Sequence, residues 1–184
     1  MKKLLVLGFV LLATSVFAQG IIISPMSGYT MSAFEDQDSA AGNILLGVEA
    51  GMMVMDNLEA GLELMYPLGY TFKIEGVAET TFKNTQIGAY GKYYFEMDSF
   101  TPFVKAGLAY YMGNAEIVPD GAGAENVDLE LDGALGFSIG GGVLMGNGMF
   151  VQLDYNIVSR GEDGDNFGMN TWDVLVGYQF PLGN

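Results

Sequence analysis

The chain has 184 residues, 22 acidic and seven basic, and its formal charge is −15. So acidic a surface is repelled by nucleic acid, whose binding requires basic groups. Cysteine and histidine are both absent, which excludes disulfides, thiol chemistry, His-dependent triads and the commonest zinc ligand.

The first element is a leader. Met1-Lys2-Lys3 is a short basic stretch, Leu4 to Phe17 is an apolar run, and Val16-Phe17-Ala18 precedes Gln19. This pattern predicts a secretory signal at residues 1–18, cleaved after Ala18, because the run is too short and wrongly flanked for a spanning helix. The residue after the cut is not Cys, so lipoprotein processing is not indicated. The mature chain, residues 19–184, keeps five basic residues against 22 acidic ones, a formal charge of −17. An exported chain without disulfides must draw its stability from a large sheet. No later stretch holds eighteen uninterrupted apolar residues, so a mature chain that spans a membrane must do so as a closed barrel.

Eight strands follow in chain order, near 20–33, 43–55, 58–72, 82–95, 100–112, 131–145, 149–159 and 170–181. The pattern behind them is alternation with period two. Leu46, Val48, Ala50, Met52 and Val54 stand against Gly47, Glu49 and Gly51; Val151, Leu153, Tyr155 and Ile157 against Gln152, Asp154 and Asn156; Trp172, Val174, Val176, Tyr178 and Phe180 against Asp173, Gly177 and Gln179. Asp56-Asn57, Glu96–Ser99 and Gly146-Asn147-Gly148 are tight hairpin signals. Between them lie longer polar stretches, Phe34–Gly42, Lys73–Thr81, Gly113–Glu130 and Arg160–Met169, expected as long loops. Ten-residue alternating segments with short turns on one rim and long loops on the other predict an all-β, eight-stranded antiparallel up-and-down transmembrane barrel, turns on the periplasmic side.

Periodicity alone does not say which face is inside. A secreted soluble barrel of the lipocalin kind would hold the apolar set inside around a ligand and present a charged exterior. Here the polar set is small instead: Gly136, Ser138, Gly140 and Gly142 alternate with Leu135, Phe137, Ile139, Gly141 and Val143. Small residues suit a narrow lumen and make a poor soluble surface. Aromatic residues gather near strand ends (Tyr66, Tyr70, Phe72, Tyr93, Phe95, Phe100, Phe103, Tyr110, Tyr111, Trp172, Tyr178 and Phe180), as interfacial girdles would. The membrane reading is the stronger one.

Two stretches carry a family resemblance. Thr101-Pro102-Phe103-Val104-Lys105-Ala106-Gly107-Leu108-Ala109-Tyr110 resembles a strand of small outer-membrane β-barrel proteins of the OmpA/OmpX/Ail type. The ending Val176-Gly177-Tyr178-Gln179-Phe180 resembles their last strand, so Gly177, Tyr178 and Phe180 form an implied signal for the barrel-assembly machinery. Pro181-Leu182-Gly183-Asn184 follow, where that family often stops. The resemblance implies a bacterial outer-membrane location, and its motifs are shared by many functions; the lack of histidine is what points to a non-enzymatic role, with no cofactor expected. The implied surroundings are outer-membrane lipid and lipopolysaccharide, and the implied state is a monomer.

Counted from the turns, the charges on the polar face fall at comparable heights, because each residue rises about 3.3 Å. Glu49, Glu63, Lys92, Lys105, Asp154 and Asp173 form the expected lumen network, with both lysines paired to Glu49, Glu63 and Asp154. Four carboxylates against two ammoniums leave an excess, which implies trapped water, a raised carboxyl pKa or a bound cation. The network reads as a plug closing a narrow barrel, the alternative being a narrow pore for small solutes or ions.

In the loops, Glu162, Asp163 and Asp165 cluster around Gly164, and Glu125, Asp128, Glu130 and Asp132 form a second acidic run. Neither matches the twelve-residue EF-hand pattern, so both read as solvated charge rather than a metal site. Divalent cations bridging them to lipopolysaccharide are the intermediate reading. Ser24, Ser27 and Ser32 have no visible base partner, and no catalytic residue is assigned. The sequence therefore points to a non-enzymatic barrel with a filled lumen and a structural or adhesive role through its long extracellular loops.

Overall fold

The computed structural model describes residues 20–33, 42–74, 78–119, 127–162, 165–168 and 170–183. The leader at 1–18 lies outside them. Strand follows strand: β1 (Ile21–Ala33), β2 (Gly42–Met55), β3 (Leu58–Pro67), β4 (Tyr70–Ile74), β5 (Ala78–Tyr94), β6 (Phe100–Pro119), β7 (Val127–Met145), β8 (Met149–Glu162), β9 (Asp165–Gly168), β10 (Asn170–Tyr178) and β11 (Phe180–Leu182). Each barrel strand pairs antiparallel with its neighbours, and β10 closes the ring on both β8 and β1. Because β4 pairs with β5 beyond the end of β3, β9 pairs with β8 ahead of the start of β10, and β11 pairs with β1 beyond the end of β10, the eleven segments make eight barrel strands. Gly69, between β3 and β4, has φ of 118°; this left-handed backbone suits glycine and interrupts the strand.

The register fixes the barrel's shape. Starting at Ile22, cross-strand partners run through Gly51, Gly61, Tyr90, Gly107, Ser138, Asn156 and Thr171, and return to β1 at Ser32. One circuit therefore climbs from position 22 to position 32. Ten residues of stagger over eight strands correspond to a tilt of about 40° and a backbone radius of roughly 8 Å, an interior that side chains can fill.

The two faces sort as a membrane barrel requires. Leu135 is 73% exposed, Leu62 64% and Ile139 62%, whereas Lys92 and Glu49 are 0% exposed. The hydrophobic effect alone would put these residues the other way round; an apolar exterior is stable when its surroundings are lipid. Tyr66, Tyr93, Phe95, Phe100, Tyr110, Trp172, Tyr178 and Phe180 are exposed on this exterior. Phe103 and Tyr111 belong inside: both are buried, since each follows the opposite parity from Phe100 and Tyr110. The side chains of Tyr70 and Phe72 lie outside the described residues.

Three of the four expected loops differ from the sequence reading. Gly113–Glu130 is mostly ladder, because β6 and β7 stay paired up to Ile117↔Val127. In the Lys73–Thr81 stretch β4 and β5 pair as far as Ile74↔Ala78, and in Arg160–Met169 β8 and β9 pair as far as Glu162↔Asp165. Polar composition suggested loops, but backbone pairing continues beyond the apolar band as β-ribbon. The fourth stretch lies mostly outside the described residues.

Candidate functional site: the charged lumen

Alternation brings the inward residues of every strand to a common interior, and the register decides which of them meet. A single rung row winds up the lumen: Glu59 faces Lys92, Lys92 faces Lys105, Lys105 faces Gly140, Gly140 faces Asp154, Asp154 faces Asp173, and Asp173 faces Thr30. Across the adjoining ladder Glu49 faces Glu63. Like charges directly opposite are destabilising, so these pairs must find partners across the lumen.

They do. Lys105 Nζ lies 2.6 Å from Glu63 Oε2, 2.9 Å from Glu49 Oε1 and 3.1 Å from Asp154 Oδ2. The contact to Glu49 Oε1 is an ion pair outside hydrogen-bonding alignment, since that oxygen accepts no hydrogen bond. Lys92 donates to Glu49 Oε2, so Glu49 is shared by both ammoniums. Lys92 Nζ also sits 5.0 Å from the Phe103 ring centre, 5.1 Å from Phe150 and 5.3 Å from Tyr90, within cation–π range. Neutral amides complete the carboxylates: Gln86 Nε2 donates to Glu63 Oε1 at 2.7 Å and Gln152 Nε2 to Asp154 Oδ2 at 2.7 Å. Asp173 receives Asn156 Nδ2 at 2.7 Å. The contacts described at Asp173 come from neutral donors and not from either lysine.

Glu59, outside the network expected from the sequence, stands at the turn end of β3. Its parity matches that of Glu63, four residues on, and this places it inward. The hydroxyls of Tyr90 and Tyr94 donate to its two oxygens, each at 2.5 Å. Gln179 Nε2 then donates to Tyr94 Oη at 2.8 Å, tying the last strand to this end of the lumen.

Glycines make room for the network. A Cβ at Gly140 would lie 1.9 Å from Asp154 Oδ1, one at Gly51 2.5 Å from Glu59 Oε1, and one at Gly88 2.9 Å from Glu63 Oε1. Each acid leans over a glycine of the neighbouring strand. Gly177 serves Phe150 in the same way, with a Cβ only 2.3 Å from its ring. Tyr178 and Phe180 face outward with ring centres 4.6 Å apart. Lys92, Phe150, Leu175, Gln152, Glu49 and Glu59 are the largest fully buried side chains, so charge and apolar bulk fill the lumen together.

Of the loop acids, Glu162 and Asp165 are register partners at the end of the β8–β9 ribbon, while Asp163 lies outside the described residues. Among the described residues no group of three or more acidic side chains could hold a metal ion.

A closed antiparallel barrel, apolar outside and charged inside, defines the class of integral outer-membrane β-barrels. The model of the outer membrane protein beta-barrel domain matches residues 4–180, and the chain belongs to that family; its place is the bacterial outer membrane. No curated protein sequence matches it. Among solved structures it is similar to Neisserial surface protein A, with a TM-score of 0.61 at 16% identity over 87% of this chain and 96% of that one. It is similar to Ail, the attachment invasion locus protein of Yersinia pestis, with a TM-score of 0.53 at 13% identity over 88% and 99%. It is also similar to the outer membrane enzyme PagL, with a TM-score of 0.56 at 18% identity over 85% and 98%. At such identities the likeness is one of fold, and the fold includes an enzyme.

Proposed function

We propose that this protein is a non-enzymatic barrel with a sealed lumen, exported by cleavage after Ala18, whose role is structural or adhesive through its extracellular ribbons and loops. The observation that carries the seal is Lys105, buried at the centre of three carboxylates. Such a cluster contributes to stability only if it stays assembled, because a stranded buried charge is costly. Against catalysis stand the lack of histidine and the state of Ser24, which faces Glu49 but is 0% exposed. A carboxylate held by two ammoniums is a poor base, and a buried hydroxyl meets no substrate.

Ail was solved in complex with a heparin analogue, sucrose octasulfate. A mature charge of −17 disfavours so anionic a ligand here, and favours basic or neutral partners, or lipopolysaccharide reached through bridging divalent cations. Gly177, Tyr178 and Phe180 are assigned to recognition by the barrel-assembly machinery, and the working state is a monomer.

Planar-bilayer recording combined with protease treatment of intact cells tests this reading. Silent bilayers with cleavage within residues 120–126 from outside support it. Reproducible conductance steps would instead establish the alternative, a narrow pore for small solutes or ions.

A further inference from the structure

The barrel wall reverses its polarity where it leaves the lipid. On β6 the outer face carries Leu108, Tyr110 and Met112, all exposed, and continues with Asn114 and Glu116. On β5 it passes from Ile87 to Lys83, Thr81 and Glu79. The lumen face changes in the opposite sense, from Gln86 to Phe82 on β5 and from Lys105 to Ala115 and Ile117 on β6.

Two backbone irregularities bring the flanking strands into the same phase. Between Tyr111↔Ala134 and Gly113↔Leu131 the register shifts by one residue, so Asp132 and Gly133 share one place opposite Met112. This bulge turns β7 over: Leu135 and Phe137 lie on the lipid face, whereas Leu131, Leu129 and Val127 lie on the lumen face. An extra residue at Leu68-Gly69 does the same for β4, since Met65 faces Gln86 but Tyr70 faces Phe82. Rows of four then cross the sheet. Tyr70, Phe82, Ala115 and Leu129 make one row on the lumen face, and Phe72, Thr80, Ile117 and Val127 the next. Thr71, Thr81, Glu116 and Asp128 make the row between them on the outer face. The described ends of these strands stand about five residues, roughly 13 Å, above those of β1 and β2. An apolar face thus overlooks the mouth of the barrel beyond the lipid, where apolar surface calls for a cover.

Composition says what can cover it. At this end the chain outside the described residues is 34–41, 75–77, 120–126, 163–164 and 169, and its large apolar residues are Phe34, Val77 and Met169, too few for four strands. A second copy brings the same acidic strands, so like charges oppose it. Outside the lumen the basic side chains of the mature chain are Lys73, Lys83 and Arg160. Against them the sheet carries Glu79, Glu116, Asp128 and Glu130, and Glu162 faces Asp165 on the neighbouring ribbon. Four strands about 4.8 Å apart and five residues of about 3.3 Å rise make a face of roughly 15 by 17 Å. A helix about 10 Å across fills it over about three turns, whereas a single alkyl chain leaves most of it bare. We infer that the lumen face of the β4–β7 sheet docks a cationic amphipathic helix, its apolar stripe on the sheet and its basic side toward the acidic rim. This names the partner class of the adhesive role proposed above and rests on that reading; it does not depend on the seal.

The test uses the folded barrel in phosphatidylcholine nanodiscs, with empty nanodiscs subtracted. A fluorescent peptide of about 14 residues, with leucine and lysine spaced to give one apolar stripe, is titrated by anisotropy. Two further probes are a scrambled peptide of the same composition and a leucine–glutamate helix of the same pattern. The expected result is saturable one-to-one binding, weakened by salt. It should fall at least about tenfold with the scrambled peptide, and likewise with Leu129→Asp. Thr81→Ala, on the outer face, should bind as the wild type does. If Leu129→Asp does not fold, by heat-modifiability on gels, the two control peptides on the wild type decide alone. Equal binding of the scrambled peptide, equal binding of the glutamate helix, or undiminished binding by Leu129→Asp would each overturn the proposal. So would concentration-dependent cross-linking of two barrels through this face. Absence of binding overturns it as well and leaves the sealed lumen standing, because conductance tests the seal separately.

Discussion

Lys92 and Lys105 face each other directly across the β5–β6 ladder, yet neither ammonium is left to repel the other. Lys92 turns to Glu49 and an aromatic floor, while Lys105 reaches Glu49, Glu63 and Asp154. The repulsion expected along one ladder is resolved across the lumen, so strand pairing and lumen filling stabilise each other.

Lys105→Met should therefore strand carboxylates and cost about 3–5 kcal/mol. Adding Glu63→Gln should restore part of the loss, because the two side chains form one network. Chemical unfolding of the four members of the cycle from lipid vesicles checks this. Simple additivity would show that the two side chains are not coupled.

On the outer face, Leu153→Arg should cost about 2–4 kcal/mol, since Leu153 is exposed near mid-height. Gln152→Arg, one residue away and facing the lumen acids, should cost less. Equal unfolding free energies for the two variants would mean the assignment of inside and outside is wrong.

Tyr94→Phe removes the hydroxyl that links Glu59 to Gln179. One carboxylate oxygen loses its described donor, for an expected loss of about 1–3 kcal/mol. Tyr66→Phe on the exterior should be nearly neutral, and the heat-modifiability of both variants on gels compares them.

Among the glycines, Gly140→Ala should be destabilising by about 1–3 kcal/mol, because the new methyl meets Asp154 Oδ1 at 1.9 Å and the Leu153 carbonyl oxygen at 2.5 Å. Gly91→Ala, whose nearest neighbour is the Glu59 carbonyl oxygen at 3.8 Å, should be tolerated or slightly stabilising. Unfolding midpoints of the two variants in the same detergent compare them.

Alternation by itself determined the barrel, the strand count and the parity of nearly every side chain, because a pleated strand imposes period two whatever surrounds it. It placed Glu49, Glu63, Lys92, Lys105, Asp154 and Asp173 on one face, which the small residues beside them marked as inward, and the same parity would have placed Glu59, Phe103 and Tyr111 there. Where the ladders end was not legible: the β6–β7 ribbon looks like a loop in composition because its residues lie beyond the apolar band. Height along the strands already brought both lysines to Glu49, Glu63 and Asp154, but which residues oppose one another was not legible. That Glu49 faces Glu63, that Lys92 faces Lys105, and that Lys92 keeps to Glu49 while Lys105 reaches all three acids depends on a stagger of ten residues around eight strands. Closure of the ring sets that stagger, and a closed ring exists only in the tertiary structure.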